Sequence, residues 1–148
     1  HESLHRTMAS QMLEWAKKHK CSLVISSVAV KSAVNENQVV AAGSTESAKS
    51  KLKQAGFLVL QHGTIPGIPG SLLNEGMLNN QDVAVVLFNA KDSEPDFKAS
   101  VHLCLAMAKL MPGVSCNIES LQKDAEIAEK EIKETDQEAK HLKDYMYG

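Results

Sequence analysis

The chain begins with the pentapeptide HESLH, in which two histidines flank a glutamate at helical spacing. His1 and His5 fit the H-E-x-x-H pattern that zinc peptidases place on one helix face, with Glu2 as the general base. Such an enzyme needs a third ligand, yet no G-x-x-H follows His5, and His19 lies about four turns further along the helix. His1 also stands at the very start of the predicted helix, where helices fray. We therefore interpret the match as incidental and predict no metal site.

A second candidate is the glycine- and proline-rich stretch HGTIPGIPGSLLNEG, between a predicted strand and a predicted helix. Gly67, Gly70 and Ser71 could present free N–H groups to an anion at the helix start. The stretch has neither the G-K-[ST] of a phosphate-binding loop nor G-x-G-x-x-G. A tight strand-to-helix turn is the favoured interpretation. The alternative is a small-molecule or nucleotide-binding enzyme, which a ligand-induced rise in melting temperature would reveal.

The remaining reactive side chains do not form a catalytic constellation. Carboxylates cluster before one predicted helix, at Asp92, Glu94 and Asp96. Acidic residues favour helix N-termini for electrostatic reasons, and no histidine is paired with them in the sequence. We predict no catalytic residues, no cofactor and no enzymatic activity.

The composition excludes several functional classes. A net charge of −2, a pI near 6.3 and 4% aromatic residues give no basic surface or stacking platform for nucleic acid. No apolar run reaches the roughly 18 residues of a membrane-spanning helix. Cys21 and Cys104 lie in apolar runs and are expected to be buried, reduced thiols. We therefore expect a cytoplasmic protein.

Strand and helix patterns alternate along the chain. The predicted strands are 21–30, 37–45, 57–63 and 82–90, and the predicted helices are 2–19, 45–56, 71–80 and 94–113. Thr45 and Ser71 are the expected N-caps of the second and third helices, and Gly56 is the expected end of the second. In the first helix, one apolar face is expected to consist of Leu4, Met8, Met12, Trp15 and Ala16. The alternation predicts an α/β layered fold with a mostly parallel sheet and helices on both faces.

From Ile118 onwards the chain is highly charged, and apolar or small residues recur at alternating steps of three and four. This spacing predicts a long charged C-terminal helix over 118–144. Such a helix could pack on its own domain or project and associate with other copies. The expected organisation is an α/β core over 1–117, this helix, and a tail over 145–148.

The order of motifs resembles the archaeal form of the proteasome assembly chaperone family. The matching pieces are the G-x-x-G-x-L-L-x-E segment at 67–75, the apolar strand that follows, a P-D-x-x-A-S helix start and the I-x-x-L-x-x-x-A-E-x-x-E closing helix. The resemblance covers roughly residues 10–148. It implies an α/β fold of phosphorylase or flavodoxin-like type and no established catalysis. Family members begin with further β-α units, so we expect the core over 1–117 to lack them.

The resemblance also gives meaning to the ending KDYMYG. Met146-Tyr147-Gly148 matches the hydrophobic–Tyr–any ending, called HbYX, of proteasome activators and some assembly chaperones, and Tyr145 precedes it. In that family the tail enters pockets between neighbouring α subunits of the proteasome ring. Met146 and Tyr147 would be buried, and the carboxylate of Gly148 would pair with a lysine. The expected partners are the 20S α ring and, because one tail binds weakly, further copies of this chain in a homo-oligomer.

Overall fold

The computed structural model describes residues 2–30, 39–89 and 97–123, together with residues 127 and 130. The chain divides into two units, His1–Val114 and Ser115–Gly148. The described residues of the first unit form the helices α1 (Glu2–Lys18), α2 (Glu46–Gln54), α3 (Gly67–Leu78) and α4 (Phe97–Leu110). They also form the strands β1 (Val24–Val30), β2 (Val40–Gly43), β3 (Leu58–Val59) and β4 (Val83–Asn89).

The four described strands form one sheet in the order β1-β4-β2-β3. The pairs β1–β4 and β2–β3 are parallel, whereas β2 and β4 are antiparallel. Val24 pairs with Val83 at one end of the β1–β4 ladder. The predicted α/β layered class with a mostly parallel sheet is therefore confirmed, with one antiparallel pair at its centre.

Helices cover both faces of this sheet. Successive side chains of β4 point to opposite faces and all are apolar from Val83 to Val86, so both faces have apolar surface to bury. One face packs with α2 and α4 in a cluster that includes Leu52, Ala84, Val86 and Ala106. The other packs with α1 and α3 in a cluster that includes Leu13, Leu72, Val83 and Val85. Residues 83 to 86 of β4 are each 0% exposed, which explains why this strand is apolar throughout rather than alternating.

The predicted ends of α2 are confirmed. The Thr45 hydroxyl accepts a 3.0 Å hydrogen bond from the Ala48 N–H, as expected of an N-cap. Gly56 follows the C-terminal end with φ of 83°, a conformation that glycine adopts without steric cost. The sequence signals at both ends of α2 are local, so they needed no tertiary contact to be recognised.

The predicted first helix is also confirmed as α1, but of the predicted apolar face only Ala16 is buried. Leu4, Met8, Met12 and Trp15 are exposed, whereas Ala9, Leu13 and Ala16 are 0, 2 and 4% exposed. Small alanines allow α1 to lie close to its neighbours. The periodicity of large apolar residues therefore marked the wrong flank of the helix.

The third helix begins four residues earlier than predicted, at Gly67, so part of the expected loop is helical. Pro66 is its N-cap residue and makes no side-chain capping bond, and Ser71 lies in the second turn. The prediction that Ser71 caps this helix is therefore wrong. Strand β3 comprises only Leu58 and Val59 of the predicted 57–63.

The cysteine prediction is wrong as well. Cys21 is an exposed free thiol, and Cys104 is disulfide-bonded. The cysteines therefore give no support to the predicted cytoplasmic location. No helix among the described residues is both long enough and apolar enough to cross a membrane.

In the second unit, residues 118–123 are helical, as are residues 127 and 130. The Asn117 side chain accepts a 3.1 Å hydrogen bond from the Ser120 N–H and so caps the start of this segment. Most of the predicted C-terminal helix and the whole tail over 145–148 lie outside the described residues.

Candidate functional site

The glycines singled out by the sequence lie at the start of α3 and have steric roles there. Gly67 has φ of 74°, in the left-handed region that favours glycine. Gly70 lies against the preceding loop: a Cβ at this position would be 1.8 Å from the Ile65 carbonyl oxygen. Both glycines are therefore explained by a tight entry into the helix.

The same geometry leaves little for an anion to bind. The first four N–H positions of a helix are the ones without intrahelical partners. Two of them here are prolines, Pro66 and Pro69, so only Gly67 and Ile68 have an N–H to offer. Anion binding by Gly67, Gly70 and Ser71 stays a prediction, and the local geometry favours the tight-turn interpretation.

A buried carboxylate lies further along α3; it is the last residue of the G-x-x-G-x-L-L-x-E segment, to which the sequence analysis gave no individual role. Glu75 is 6% exposed. It accepts a 2.7 Å bond from Arg6 Nε and a 3.2 Å bond from the Ser10 hydroxyl, both on α1. One charged residue in the apolar run LLNEGML was the available signal, because a buried carboxylate needs partners. Glu75 thus fixes α1 against α3, and its contacts indicate structure rather than chemistry.

A second polar cluster joins the start of α2 to the start of β4. The Asp82 carboxylate accepts hydrogen bonds from Thr45 and, at 2.7 Å each, from Ser47 and Lys51 Nζ. Burial raises the pKa of Asp82, but the hydrogen bonds from these three residues and the charge of Lys51 outweigh it and hold the pKa below its ordinary value. Three satisfied donors around one ionised carboxylate form a structural anchor.

We expect Asp82→Asn to destabilise the fold by about 1–2 kcal/mol, since it removes charged hydrogen bonds from a partly exposed cluster. A lowered folded-state pKa means that Asp82 stabilises the fold above its ordinary pKa of 3.8 and loses this contribution as pH falls through the folded value. Urea unfolding of both proteins at pH 7 and pH 3 measures this. The free energy of unfolding should differ less between wild type and Asp82→Asn at pH 3 than at pH 7. An equal difference at both pH values would contradict this prediction.

The described residues contain no group of three or more His, Cys, Asp or Glu side chains that could hold a metal. The residues that the sequence proposed as a partner site, Met146, Tyr147, Gly148 and Tyr145, lie outside the part of the chain that the structure describes, so their role stays a prediction. The candidate site residues that the structure does describe are therefore Gly67, Gly70 and Ser71 at the start of α3, together with Glu75 and Asp82.

The described residues thus define an α/β protein, with α1 and α3 on one face of the sheet and α2 and α4 on the other. They contain no catalytic cluster. The model of the PAC2 family matches residues 1–136. The chain therefore belongs to the PAC2 family. A comparison with curated proteins found no match.

Solved structures give the same fold. Pyrococcus furiosus PbaA, an archaeal homologue of proteasome-assembly chaperone, is 23% identical with a TM-score of 0.74, covering 97% of this chain and 61% of PbaA. P. furiosus PbaB, an archaeal proteasome activator, is 24% identical with a TM-score of 0.64, covering 89% of this chain and 58% of PbaB. A proteasome-assembly chaperone homologue from Mycobacterium tuberculosis is 18% identical with a TM-score of 0.56, covering 88% of this chain and 56% of its own. The chain thus spans about three fifths of the length of the relatives it resembles.

Proposed function

We propose that this protein is a non-enzymatic proteasome assembly chaperone or adaptor that binds the 20S α ring. The observation that carries the proposal is membership of the PAC2 family, together with a fold shared over 97% of the chain with PbaA. The likeness to PbaB, described as a proteasome activator, also supports the proteasome as the partner of this chain. The glycine-containing start of α3 gives less support to an enzymatic function. The N–H groups of Gly67 and Ile68 have no charged side chain beside them in the first turn.

The docking element is the tail Met146-Tyr147-Gly148. Burying the Met and Tyr side chains would contribute roughly 3–5 kcal/mol. A hydrogen-bonded pair between the terminal carboxylate and a pocket lysine would add about 1.5–3 kcal/mol. The proposal requires Gly148 to carry a free carboxylate in the mature protein.

A single tail is too weak to hold the complex. Association itself costs about 4–15 kcal/mol, which leaves one tail with millimolar affinity or weaker. Several tails on one assembly raise the effective concentration of the later ones and so strengthen binding. The proposed function therefore includes self-association of this chain.

The test compares the intact chain with a version that ends at Tyr145. Binding to 20S proteasomes, or to isolated α subunits, is measured by sedimentation. We expect the intact chain to co-sediment and the shortened chain to lose binding at least about tenfold, while circular dichroism shows the same fold for both. Equal binding by both chains would exclude the tail as the docking element, and binding by neither would contradict the proposed function.

A further inference from the structure

An open cleft lies where α1 and α3 end side by side. Both helices lead into parallel strands, and Val24 and Val83, which begin those strands, are paired in the β1–β4 ladder. The cleft has a volume of about 460 Å³, which is in the range of small-ligand sites. Its two walls are formed by residues from 17–24, at the end of α1, and from 79–82, after α3.

The helices α1, α2 and α3 all end in the same hydrogen-bonded turn, the Schellman motif. In this motif an N–H beyond the helix end bonds to a carbonyl five residues earlier. The bonds are Cys21 N–H to the Ala16 oxygen at 2.9 Å, Phe57 N–H to the Leu52 oxygen at 3.0 Å, and Gln81 N–H to the Gly76 oxygen at 2.8 Å. The residue before each of these donors has a left-handed backbone, which is the conformation that favours glycine.

Glycine occupies that left-handed position in only one of the three helices. Gly56 follows α2 with φ of 83°, whereas Lys20 follows α1 with φ of 55° and Asn80 follows α3 with φ of 51°. Asparagine tolerates this conformation, but lysine is strained in it. Lys20 and Asn80 are the only non-glycine residues with positive φ in the described part of the chain, and both line the cleft. Strain retained at a cleft indicates a use for the side chain.

The wall at the end of α1 is positively charged. Lys17 and Lys20 line the cleft, and neither forms an ion pair with another residue that the structure describes. The one carboxylate on the opposite wall, that of Asp82, is already paired with Lys51 Nζ at 2.7 Å. Two ammonium groups without acidic partners therefore remain to bind carboxylates of a ligand.

The opposite wall presents side-chain amides. Asn79 Nδ2 donates a 2.8 Å bond to the Glu75 carbonyl oxygen, and Gln81 Nε2 donates a 3.0 Å bond to the Leu13 carbonyl oxygen. These bonds hold the two amides in place. A side-chain amide both donates and accepts hydrogen bonds, as the peptide groups of a bound segment do. None of the described residues that line the cleft is aromatic, so a nucleotide base would have no ring to stack on.

We propose that this cleft binds a short acidic peptide segment, whose carboxylates pair with Lys17 and Lys20 while its backbone bonds to the amides. The ends of α1 and α3 carry partial negative charge, which would repel an isolated inorganic anion. A peptide satisfies both demands, because it can direct N–H groups to the helix ends and carboxylates to the lysines. The site uses none of the tail residues, so the inference goes beyond docking on the α ring.

The experiment measures binding to the full chain by fluorescence anisotropy of a short labelled peptide of alternating glutamate and glycine. The same peptide with glutamine in place of glutamate is the ligand control. We expect Lys17→Gln and Lys20→Gln each to weaken binding of the acidic peptide at least about fivefold, because each removes a charged hydrogen bond. Lys18→Gln is the matched control, since Lys18 ends the same helix without lining the cleft, and it should change the affinity less than about twofold.

Lys20→Gly separates a binding role from a structural one. Compared with Lys20→Gln, which also lacks the charge, it should raise the melting temperature by roughly 1–4 °C, because glycine relieves the left-handed strain. It should nevertheless lose as much affinity for the acidic peptide as Lys20→Gln does. A variant that is more stable but binds less is the result expected of a side chain kept for a ligand. Full binding by Lys20→Gly would overturn the inference.

Cys21 reports directly on whether the cleft is open and occupied. It is an exposed thiol that lines the cleft, and the other two cysteines are disulfide-bonded. We expect the acidic peptide, but not the glutamine peptide, to slow its reaction with a neutral maleimide. An unreactive Cys21 in the folded chain, equal binding of the two peptides, or no binding of either would overturn the inference. The chain ending at Tyr145 should bind the acidic peptide normally, so failure of this site and failure of tail docking are distinguishable.

Discussion

Replacing Tyr147 with alanine should remove most of the proposed binding to the 20S α ring. A tyrosine buried in a pocket contributes roughly 1.5–3 kcal/mol, or about one to two orders of magnitude in affinity for each tail. When several tails bind one ring, these losses combine, so the assembly should lose more than a single tail does. Co-sedimentation with 20S proteasomes at increasing protein concentration measures the change.

Tyr145→Ala is the matched control for this prediction. It deletes the same ring two residues earlier, ahead of the three-residue ending. We expect it to weaken binding only a fewfold. Similar losses for Tyr145→Ala and Tyr147→Ala would show that general apolar character, rather than the penultimate tyrosine, determines binding.

Gly70→Ala should destabilise the fold by at least about 2 kcal/mol. The new Cβ would be 1.8 Å from the Ile65 carbonyl oxygen, a backbone atom that cannot turn aside as a side chain would. Alanine is the better helix former, by up to about 1 kcal/mol, but this gain is smaller than the cost of moving the loop before α3. The melting temperature should fall by roughly 6–12 °C.

Ser71→Ala is a control in the same turn of α3. Ser71 caps nothing, so its replacement should change the stability by less than about 0.5 kcal/mol. An unchanged melting temperature for Gly70→Ala would mean that the loop at Ile65 shifts freely, and would reopen the glycine entry as a flexible ligand site.

The local sequence determined those features whose causes lie within a few residues. Thr45 and Gly56 mark the two ends of α2, because a hydroxyl cap and a positive φ act within one turn. The apolar run of β4 was recognisable because a central strand is covered on both faces. The PAC2 family was likewise indicated by the order of short motifs along the chain, since each motif is a local pattern of residue types.

Tertiary structure decided which surfaces meet. Nothing local to α1 shows that Ala9 and Leu13 are buried while Met8 and Trp15 stay exposed, because the choice depends on how closely α3 and the sheet approach. Likewise, the partners of Glu75 lie 65 and 69 residues away in the chain. Local periodicity reports which residues could be buried, whereas close packing between distant segments selects the ones that are.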